Sequence, residues 1–481
     1  MNRHDFVLIL LVSFSVALFS FTLSYSKAGL YIIYCIAIVL FILLFLRKFS
    51  FVYYVVLIIT LNMSEYSKYI STENFYTFRT VKLFGISFAS IFIVLLVIYK
   101  LLFSKKIFNS FTNPLFRIGL FILSEAICLG IVYLAFGDSV LKGFENDLIY
   151  FMILFGSFYL AYDLSDTELM QEILLIALLI APINILFGWA FLPLGSYGGA
   201  PISSFDSLYY AIPLIPSFFL IFKKRTQSKI PLWLVAISSV CSIVTIILQA
   251  SGKSLIFLTL GIIIAWLTSI KRYSIKRYAL TGVIILLIVL VSISVLPNKI
   301  MSYGNTLLKS KSYEVYSLFE VIPNILNNPE VAYMIEPSAR VRALEFMNIF
   351  KELEEFPINL LIGKGIGGSF TDKYYRIPFT LATYSEDQWV SRIFYMPHET
   401  LNFVLLKFGI LGIIFLLFFV VWLLRKLYSE VSNERVFLNI VLIFGILFML
   451  GYSLKLAIFI GTVIGLLSSR HKKIPGEGGS K

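Results

Sequence analysis

One histidine stands away from the two ends of this chain, and its neighbours carry side chains that can move protons. The chain contains three histidines, and His398 lies between Pro397 and Glu399 at the start of a long apolar stretch. A helix that begins there places Asn402 on the same face as His398. Imidazole and carboxylate groups are common general bases. His398 is therefore a candidate base or hydrogen-bond donor, with Glu399 in reserve, and an interfacial histidine that caps a helix is the structural alternative.

Two arginines lie in the best predicted helix of the polar stretch before His398. Residues 338–356 have helical periodicity, and Pro357 follows the last turn. The apolar side chains share one arc of this helix: Ala343, Phe346, Met347, Ile349, Phe350 and Leu353. Arg342 projects into this arc and so requires an anionic partner, whereas Arg340 lies at its margin. Glu345 is expected on the opposite side of the helix.

A Gly-Lys-Ser triplet supplies a third candidate cation. Lys253 lies at the outer end of two predicted spans that are joined by almost no loop. A nucleotide-binding loop requires a second glycine five residues before Gly252, and Ile247 occupies that position, so the triplet does not predict a nucleotide site. Lys253 would place an amine at the membrane face, and a snorkelling lysine is the structural alternative.

A carboxylate is predicted inside the membrane. Glu125 lies in the middle of the apolar residues 115–136, where an ionised carboxylate costs roughly 2.5 kcal/mol or more. Such a residue has a partner or a task. A structural ion pair with Lys407 or Lys455 and a role in proton coupling are both open.

The composition shows what kind of scaffold must position these residues. Of 481 residues, 59% are hydrophobic and only 14% are charged, which excludes a soluble domain. About 12 to 14 stretches are long enough to cross a bilayer. They are predicted at 6–23, 29–46, 50–63, 82–99, 115–136, 147–162, 169–190, 209–222, 231–249, 254–270, 279–296, 398–424, 436–452 and 455–469. The sequence therefore predicts an all-α polytopic membrane protein.

The basic residues predict the topology of the chain. The net charge is +13, yet clusters such as Lys223–Arg225 fall in alternate loops, so a nucleic-acid partner is not expected. By the positive-inside rule both termini are cytoplasmic and the large polar loop faces outward. The predicted organisation is transmembrane helices over 1–296 (about 11 spans), the loop subdomain over 297–397, C-terminal transmembrane helices over 398–470, and a tail over 471–481 that resembles a tag remnant.

The cysteines predict neither a disulfide framework nor a metal centre. Cys35, Cys128 and Cys241 all lie in predicted spans and are far apart in the sequence. No metal-ligand spacing is found elsewhere, so no metal site is expected.

Two segments together resemble a known family. The first runs from Arg342-Ala-Leu-Glu-Phe346 to Gly363-Lys-Gly-Ile-Gly367, and the second from His398-Glu-Thr-Leu-Asn402 to Gly409-Ile-Leu-Gly412. This combination is similar to the O-antigen polymerase and O-antigen ligase superfamily of bacterial surface polysaccharide assembly, over about residues 230–425. Three positions depart from the family. Its histidine is commonly followed directly by Asn, its helix usually has Trp in place of Phe346, and it often has Arg in place of Lys253.

The resemblance implies an enzyme and a location. Members of this superfamily transfer a glycan from undecaprenyl pyrophosphate to an acceptor, without a metal or other cofactor, on a GT-C-like helical scaffold. For this chain that implies the bacterial inner membrane, with the partly helical loop on the periplasmic side. The implied partners are an undecaprenyl-pyrophosphate-linked oligosaccharide, membrane lipid and a chain-length regulator protein. The length of the chain and its large loop favour the polymerase, which extends another lipid-linked repeat unit, over the ligase, whose acceptor is the lipid A core.

The resemblance also assigns roles to the candidate residues. A departing pyrophosphate needs cations aimed at it, and Arg340, Arg342 and Lys253 match that need. Arg342 is also placed with the catalytic residues. His398, with Glu399 in reserve, would position or deprotonate the acceptor hydroxyl, and a hydrogen bond from His398 to the pyrophosphate is the alternative.

A transporter is the alternative from another class. A lipid-linked oligosaccharide flippase, or another secondary transporter, would give a task to Glu125 and to residues 191–208. The latter are rich in Gly, Pro and Ser and are expected to be re-entrant. This hypothesis also predicts repeat symmetry between the two halves of the chain, and the sequence does not show it.

Overall fold

The computed structural model describes residues 27–62, 81–83, 85–103, 113–136, 140–164, 167–191, 232–249, 337–378, 384–429, 433–448 and 454–469, together with Leu11 and Ser15. Within these residues the regular secondary structure is helical apart from two short antiparallel strand pairs, with turns and bends between the elements. The structure is thus that of an all-α protein, as the sequence predicts.

The elements follow the predicted order. They are α1 (Lys27–Phe45), α2 (Phe49–Asn62), β1 (Lys82–Leu83), β2 (Ile86–Ser87), α3 (Phe88–Phe103), α4 (Pro114–Phe136), α5 (Leu141–Leu164), α6 (Thr167–Phe191), α7 (Leu232–Gln249), α8 (Pro337–Glu354), α9 (Pro357–Ile362), β3 (Phe370–Thr371), α10 (Glu386–Ser391), β4 (Ile393–Phe394), α11 (Thr400–Ser429), α12 (Asn433–Phe448) and α13 (Leu454–Ser468). Each predicted span that falls on described residues corresponds to one of these helices. The spans predicted at 6–23 (all but Leu11 and Ser15), 209–222, 254–270 and 279–296 lie outside the described residues, so the total number stays a prediction.

Length and composition single out helices that can cross a bilayer. Over the residues that the structure describes, three helices are long and apolar enough: Lys27–Phe45, Pro114–Phe136 and Thr400–Leu427. Shorter apolar helices lie at Phe49–Leu61, Phe88–Phe103, Trp233–Ser242 and Ala457–Ser468. By length and composition these helices are those of an all-α membrane protein.

Local sequence explains where the helices beside the site begin and end. The Asn113 side chain accepts a hydrogen bond from the Leu115 amide at 2.9 Å, which caps α4, and proline occupies its first position. Proline also starts α8 and α9. Helix α9 ends at Gly363, whose φ of 77° is costly for residues with a side chain.

Close packing of α5 on α13 builds the larger core. A Cβ on Gly461 would lie 2.2 Å from the Leu154 carbonyl oxygen, and one on Gly465 would lie 2.5 Å from that of Phe158. The missing side chains therefore let the two helices approach, as small residues do between membrane helices. Tyr53 on α2 adds a polar contact, with its hydroxyl 2.8 Å from the Thr462 hydroxyl.

A second, smaller core belongs to the loop before α11. It joins apolar side chains of α8, β3, β4 and α11, including Leu344, Phe370 and Leu406. The antiparallel pairs Phe370↔Phe394 and Thr371↔Ile393 tie the two sides of the loop together. The described part of the loop is thus a packed unit whose core includes the start of a membrane helix.

Candidate functional site

Helix α8 is buried on more than one side, which corrects a prediction. Glu345 was expected on the side of α8 opposite the apolar arc, but that side is buried as well, and the exposed fraction of Glu345 is 0%. Leu344, Met347 and Asn348 are buried as well, because α8 packs against both α11 and the β3 side of the loop. A one-sided amphipathic pattern describes a helix with a single neighbour, so it misplaced the polar side chain that lies deepest in the site.

Glu345 is the central acceptor of the site. Its Oε1 contacts Nδ1 of His398 and accepts a hydrogen bond from the Tyr384 hydroxyl. Its Oε2 accepts hydrogen bonds from the His398 amide and from the Asn402 side chain, both at 3.1 Å. A buried carboxylate is stable only when hydrogen bonds and charge replace water, and these four contacts do so.

The contacts of Glu345 also set its charge and that of its tyrosine neighbour. Burial raises the pKa of Glu345, but the His398 charge and the hydrogen bonds from His398 and Tyr384 outweigh burial and bring it below the ordinary value. Burial, reinforced by the Glu345 charge, holds the pKa of Tyr384 well above its usual range. Glu345 is therefore an anion at neutral pH, and Tyr384 is a neutral hydrogen-bond donor.

The carboxylate determines which nitrogen of His398 carries a lone pair. An anion on Nδ1 favours the tautomer with its proton there, and Nε2 is then the basic nitrogen. His398 lies in a bend two residues before α11, so it precedes the helix rather than opening it. The ring is 21% exposed and packs edge-on against Tyr384, at 4.7 Å between ring centroids.

Arg342 has the anionic partner that its position requires. Its Nε lies 2.5 Å from Oε1 of Glu399, and the two side chains are 29% and 21% exposed. The Asn402 side chain, which also bonds Glu345, donates to the Arg342 carbonyl at 3.0 Å. The structure therefore brings together three predicted residues, Arg342, His398 and Glu399, as the Arg342–Glu399 ion pair beside the hydrogen-bonded His398–Glu345 pair.

Of the other two predicted cations, the structure describes Arg340 but not Lys253. Arg340 is partly buried two residues before Arg342 on α8. Lys253 lies outside the described residues, so its place near the site stays a prediction. Among the described residues, no group of three or more His, Cys, Asp or Glu side chains is arranged to hold a metal ion.

A buried ion pair connects α11 with α5 near the site. Lys407 on α11 lies 2.7 Å from Asp147 on α5, and both side chains are fully buried. Lys407 also donates to the carbonyls of Gly368 at 2.7 Å and Tyr395 at 3.2 Å. This pair corrects one prediction, since Lys407 was a suggested partner of Glu125. Lys407 pairs with Asp147 instead.

We expect Glu345→Gln to destabilise the protein more at neutral than at acidic pH. The folded-state pKa of Glu345 is lowered, so the carboxylate stabilises the fold above its ordinary pKa of about 4.3. That contribution is lost as pH falls through the lower folded value. Thermal unfolding of detergent-solubilised protein from about pH 7 down to about pH 2, well below the ordinary carboxyl pKa, would measure it, with the exposed Glu354→Gln on the same helix as control. An equal loss of stability at every pH would contradict the assignment of Glu345 as an anion.

The fold and site together define a polytopic membrane protein with a polar cluster at the end of a span. Residues 237–417 match the family model described as O-antigen ligase. This match supports the resemblance to the O-antigen polymerase and ligase superfamily that was inferred from the sequence. Members of the matched family are membrane glycosyltransferase-like enzymes. No curated protein and no solved structure matches the chain.

Proposed function

We propose that the protein is a surface-polysaccharide polymerase of the bacterial inner membrane. It would transfer a glycan from undecaprenyl pyrophosphate to a second lipid-linked repeat unit at the periplasmic face, without a metal and on a GT-C-like scaffold. The observation that carries this proposal is the His398–Glu345 pair beside the Arg342–Glu399 pair. The family match over residues 237–417 supports the class of reaction.

The reaction needs a base, and His398 fits that role. In the tautomer favoured by Glu345, Nε2 accepts the proton of the acceptor hydroxyl as its oxygen bonds to the anomeric carbon of the donor sugar. The bond from that carbon to the pyrophosphate oxygen breaks, and its electron pair leaves with undecaprenyl pyrophosphate. The proton on His398 then passes to solvent or to the leaving group, which restores the enzyme.

The leaving group needs cations, and Arg342 supplies one. In the structure its guanidinium faces Glu399, and a pyrophosphate, which carries more charge, would compete with that single carboxylate. Arg340 on the same helix and Lys253 from the membrane spans are the proposed further ligands. Glu399 is then the partner of Arg342 in the absence of substrate. His398 remains the proposed base, because Glu345 orients its imidazole, and Glu399 is not needed for that role.

A reconstituted reaction tests the proposed function. Purified protein in lipid nanodiscs would receive undecaprenyl-pyrophosphate repeat units and no other enzyme, with products separated by glycan length. The polymerase predicts a ladder of longer lipid-linked glycans. The ligase is the second candidate because the matched family model carries that description. Transfer to an added lipid A core acceptor without a ladder would establish the ligase, and movement of labelled lipid across vesicles without any transfer would contradict both enzymes.

A further inference from the structure

We infer that part of the large loop enters the membrane. Residues 356–368, which include α9 and the following glycine-rich turn, form a re-entrant segment whose exposed apolar side chains contact bilayer hydrocarbon. The sequence predicted all of 297–397 as an outward loop and expected a re-entrant segment at 191–208 instead. The inference rests on the backbone contacts and exposed side chains of residues 356–368, and it holds independently of the proposed function.

The backbone of this segment bonds to the interior of membrane helices. The amides of Lys364 and Gly365 donate to the carbonyls of Leu406 and Lys407 on α11 at 2.8 and 3.0 Å. The Ile366 amide donates to the Ala126 carbonyl on α4 at 2.9 Å. The Ala126 carbonyl lies ten residues before the end of α4, and the Leu406 and Lys407 carbonyls lie six and seven residues after the start of α11, just before its kink at Gly409.

The rise per residue of an α-helix gives the distance of these contacts from the ends of α4 and α11. Tyr133 on α4 bonds Asn359, and Ala126 bonds Ile366, so the segment descends along α4 away from its end at Phe136. At a rise of about 1.5 Å per residue, Ala126 lies about 15 Å along the helix from that end. The contact with Lys407 lies about 10 Å from the start of α11 at Thr400 by the same measure. Two helices therefore place the turn about 10 to 15 Å below the level of their ends.

The segment satisfies the conditions for irregular backbone at membrane depth. Such backbone persists only where protein or a water-filled cavity satisfies its polar groups. Here α4 and α11 take three of the amides, and the Gly367 amide donates to Asp147 at 2.8 Å. A Cβ on Gly365 would lie 2.6 Å from the Ala126 carbonyl oxygen, so glycine is required for the approach. The kink at Gly409 completes the fit, because a Cβ there would lie 2.5 Å from the Leu361 carbonyl.

The exposed side chains of the segment suit lipid rather than water. Phe356, Ile358 and Leu361 are 62%, 59% and 44% exposed. Since Leu361 abuts Gly409, this surface continues directly into the exposed apolar stripe of α11, which includes Ile410 and Leu411. That helix is apolar enough to span a bilayer. A contiguous apolar surface that begins on a membrane helix is covered by what covers that helix, which is bilayer lipid.

The consequence is an anchor for the polar part of the loop. Helix α8, which carries Arg342 and Glu345, ends at Glu354, three residues before α9 begins. An embedded α9 therefore holds the end of α8 at the membrane surface. That is the depth at which the phosphates of any lipid-linked substrate lie.

Site-specific labelling tests the inference. The three native cysteines would be replaced by serine or alanine, and a single cysteine would be placed by Ile358→Cys. Val390→Cys on α10 is the matched control, since Val390 is an apolar residue of the same loop with an exposed fraction of 81%. Both variants would be reconstituted in nanodiscs and labelled with a membrane-impermeant maleimide. We expect labelling at position 358 to be at least about tenfold slower than at 390.

A second readout identifies what covers the surface. A bimane label introduced at position 358 in detergent, before reconstitution, should be quenched by doxyl-labelled lipid, whereas the same label at position 390 should not. Equal labelling rates at the two positions, with no lipid quenching at 358, would overturn the inference. Slow labelling at 358 without lipid quenching would also overturn it, because a protein surface rather than lipid would then cover α9.

Discussion

His398→Ala lowers the rate of glycan polymerisation by a factor of about 10² to 10⁴, the usual contribution of a general base, and leaves the protein folded. The fold is expected to persist at lower stability, because Tyr384, Asn402 and the main-chain amide of residue 398 still donate hydrogen bonds to the buried Glu345 carboxylate. The measurement is the initial rate of chain elongation by purified protein in nanodiscs, with thermal unfolding as the check on folding. A rate within threefold of the unmodified protein would remove His398 from the chemistry.

A change at Glu345 that removes its charge but keeps its shape distinguishes a catalytic base from a structural histidine. Glu345→Gln keeps the shape of the partner but removes the anion that stabilises the imidazolium. The turnover number at neutral pH should therefore fall, because the amide neither holds the proton on Nδ1 nor stabilises the imidazolium that forms during the reaction. Glu354→Gln, an exposed change on the same helix, should leave the turnover number unchanged. An unchanged turnover number in Glu345→Gln would contradict the pairing as a determinant of the base.

Arg342→Ala lowers the same rate by a factor of about 10² to 10³, as removal of one charge-stabilising donor does in other active sites. Its partner Glu399 loses this ion pair but is 21% exposed, so water can solvate the carboxylate and the fold should persist. Arg342→Lys should recover only part of the activity, because an ammonium group lacks the bidentate geometry of guanidinium. The matched control is Lys351→Ala, an exposed cation of the same helix. Equal rates in Arg342→Ala and Lys351→Ala would contradict the assignment.

The sequence predicted the residues of the site better than the contacts among them. His398 and Arg342 were found because a histidine beside a span and an arginine on an apolar arc are each unusual in themselves. Glu345 was misplaced because helical periodicity assigns one buried face, and α8 has neighbours on two sides. The contact of Tyr384 with Glu345 carried no local signal, since this hydrogen bond joins positions 39 residues apart.

The same distinction applies to the fold. The spans were predictable because apolar length alone defines them, and helices such as Pro114–Phe136 begin and end close to the predicted positions. The Asp147–Lys407 pair joins residues of two separate helices, and local pattern contains no information about such a partner. The path of residues 356–368 was missed for a related reason. Glycine and lysine in Gly363–Gly367 indicate a polar loop, whereas their amides are satisfied by carbonyls of α4 and α11.

The amount of leaving group released shows directly whether the site containing His398 and Arg342 catalyses the transfer. Undecaprenyl pyrophosphate released by the reconstituted protein would be measured against new glycosidic bonds, with lipid-linked repeat units as the sole substrate, for the unmodified protein and for His398→Ala combined with Arg342→Ala. We predict that the unmodified protein releases one undecaprenyl pyrophosphate per glycosidic bond formed, and that the double variant releases none above background. Continued stoichiometric release by a folded double variant would show that the transfer takes place elsewhere in the molecule.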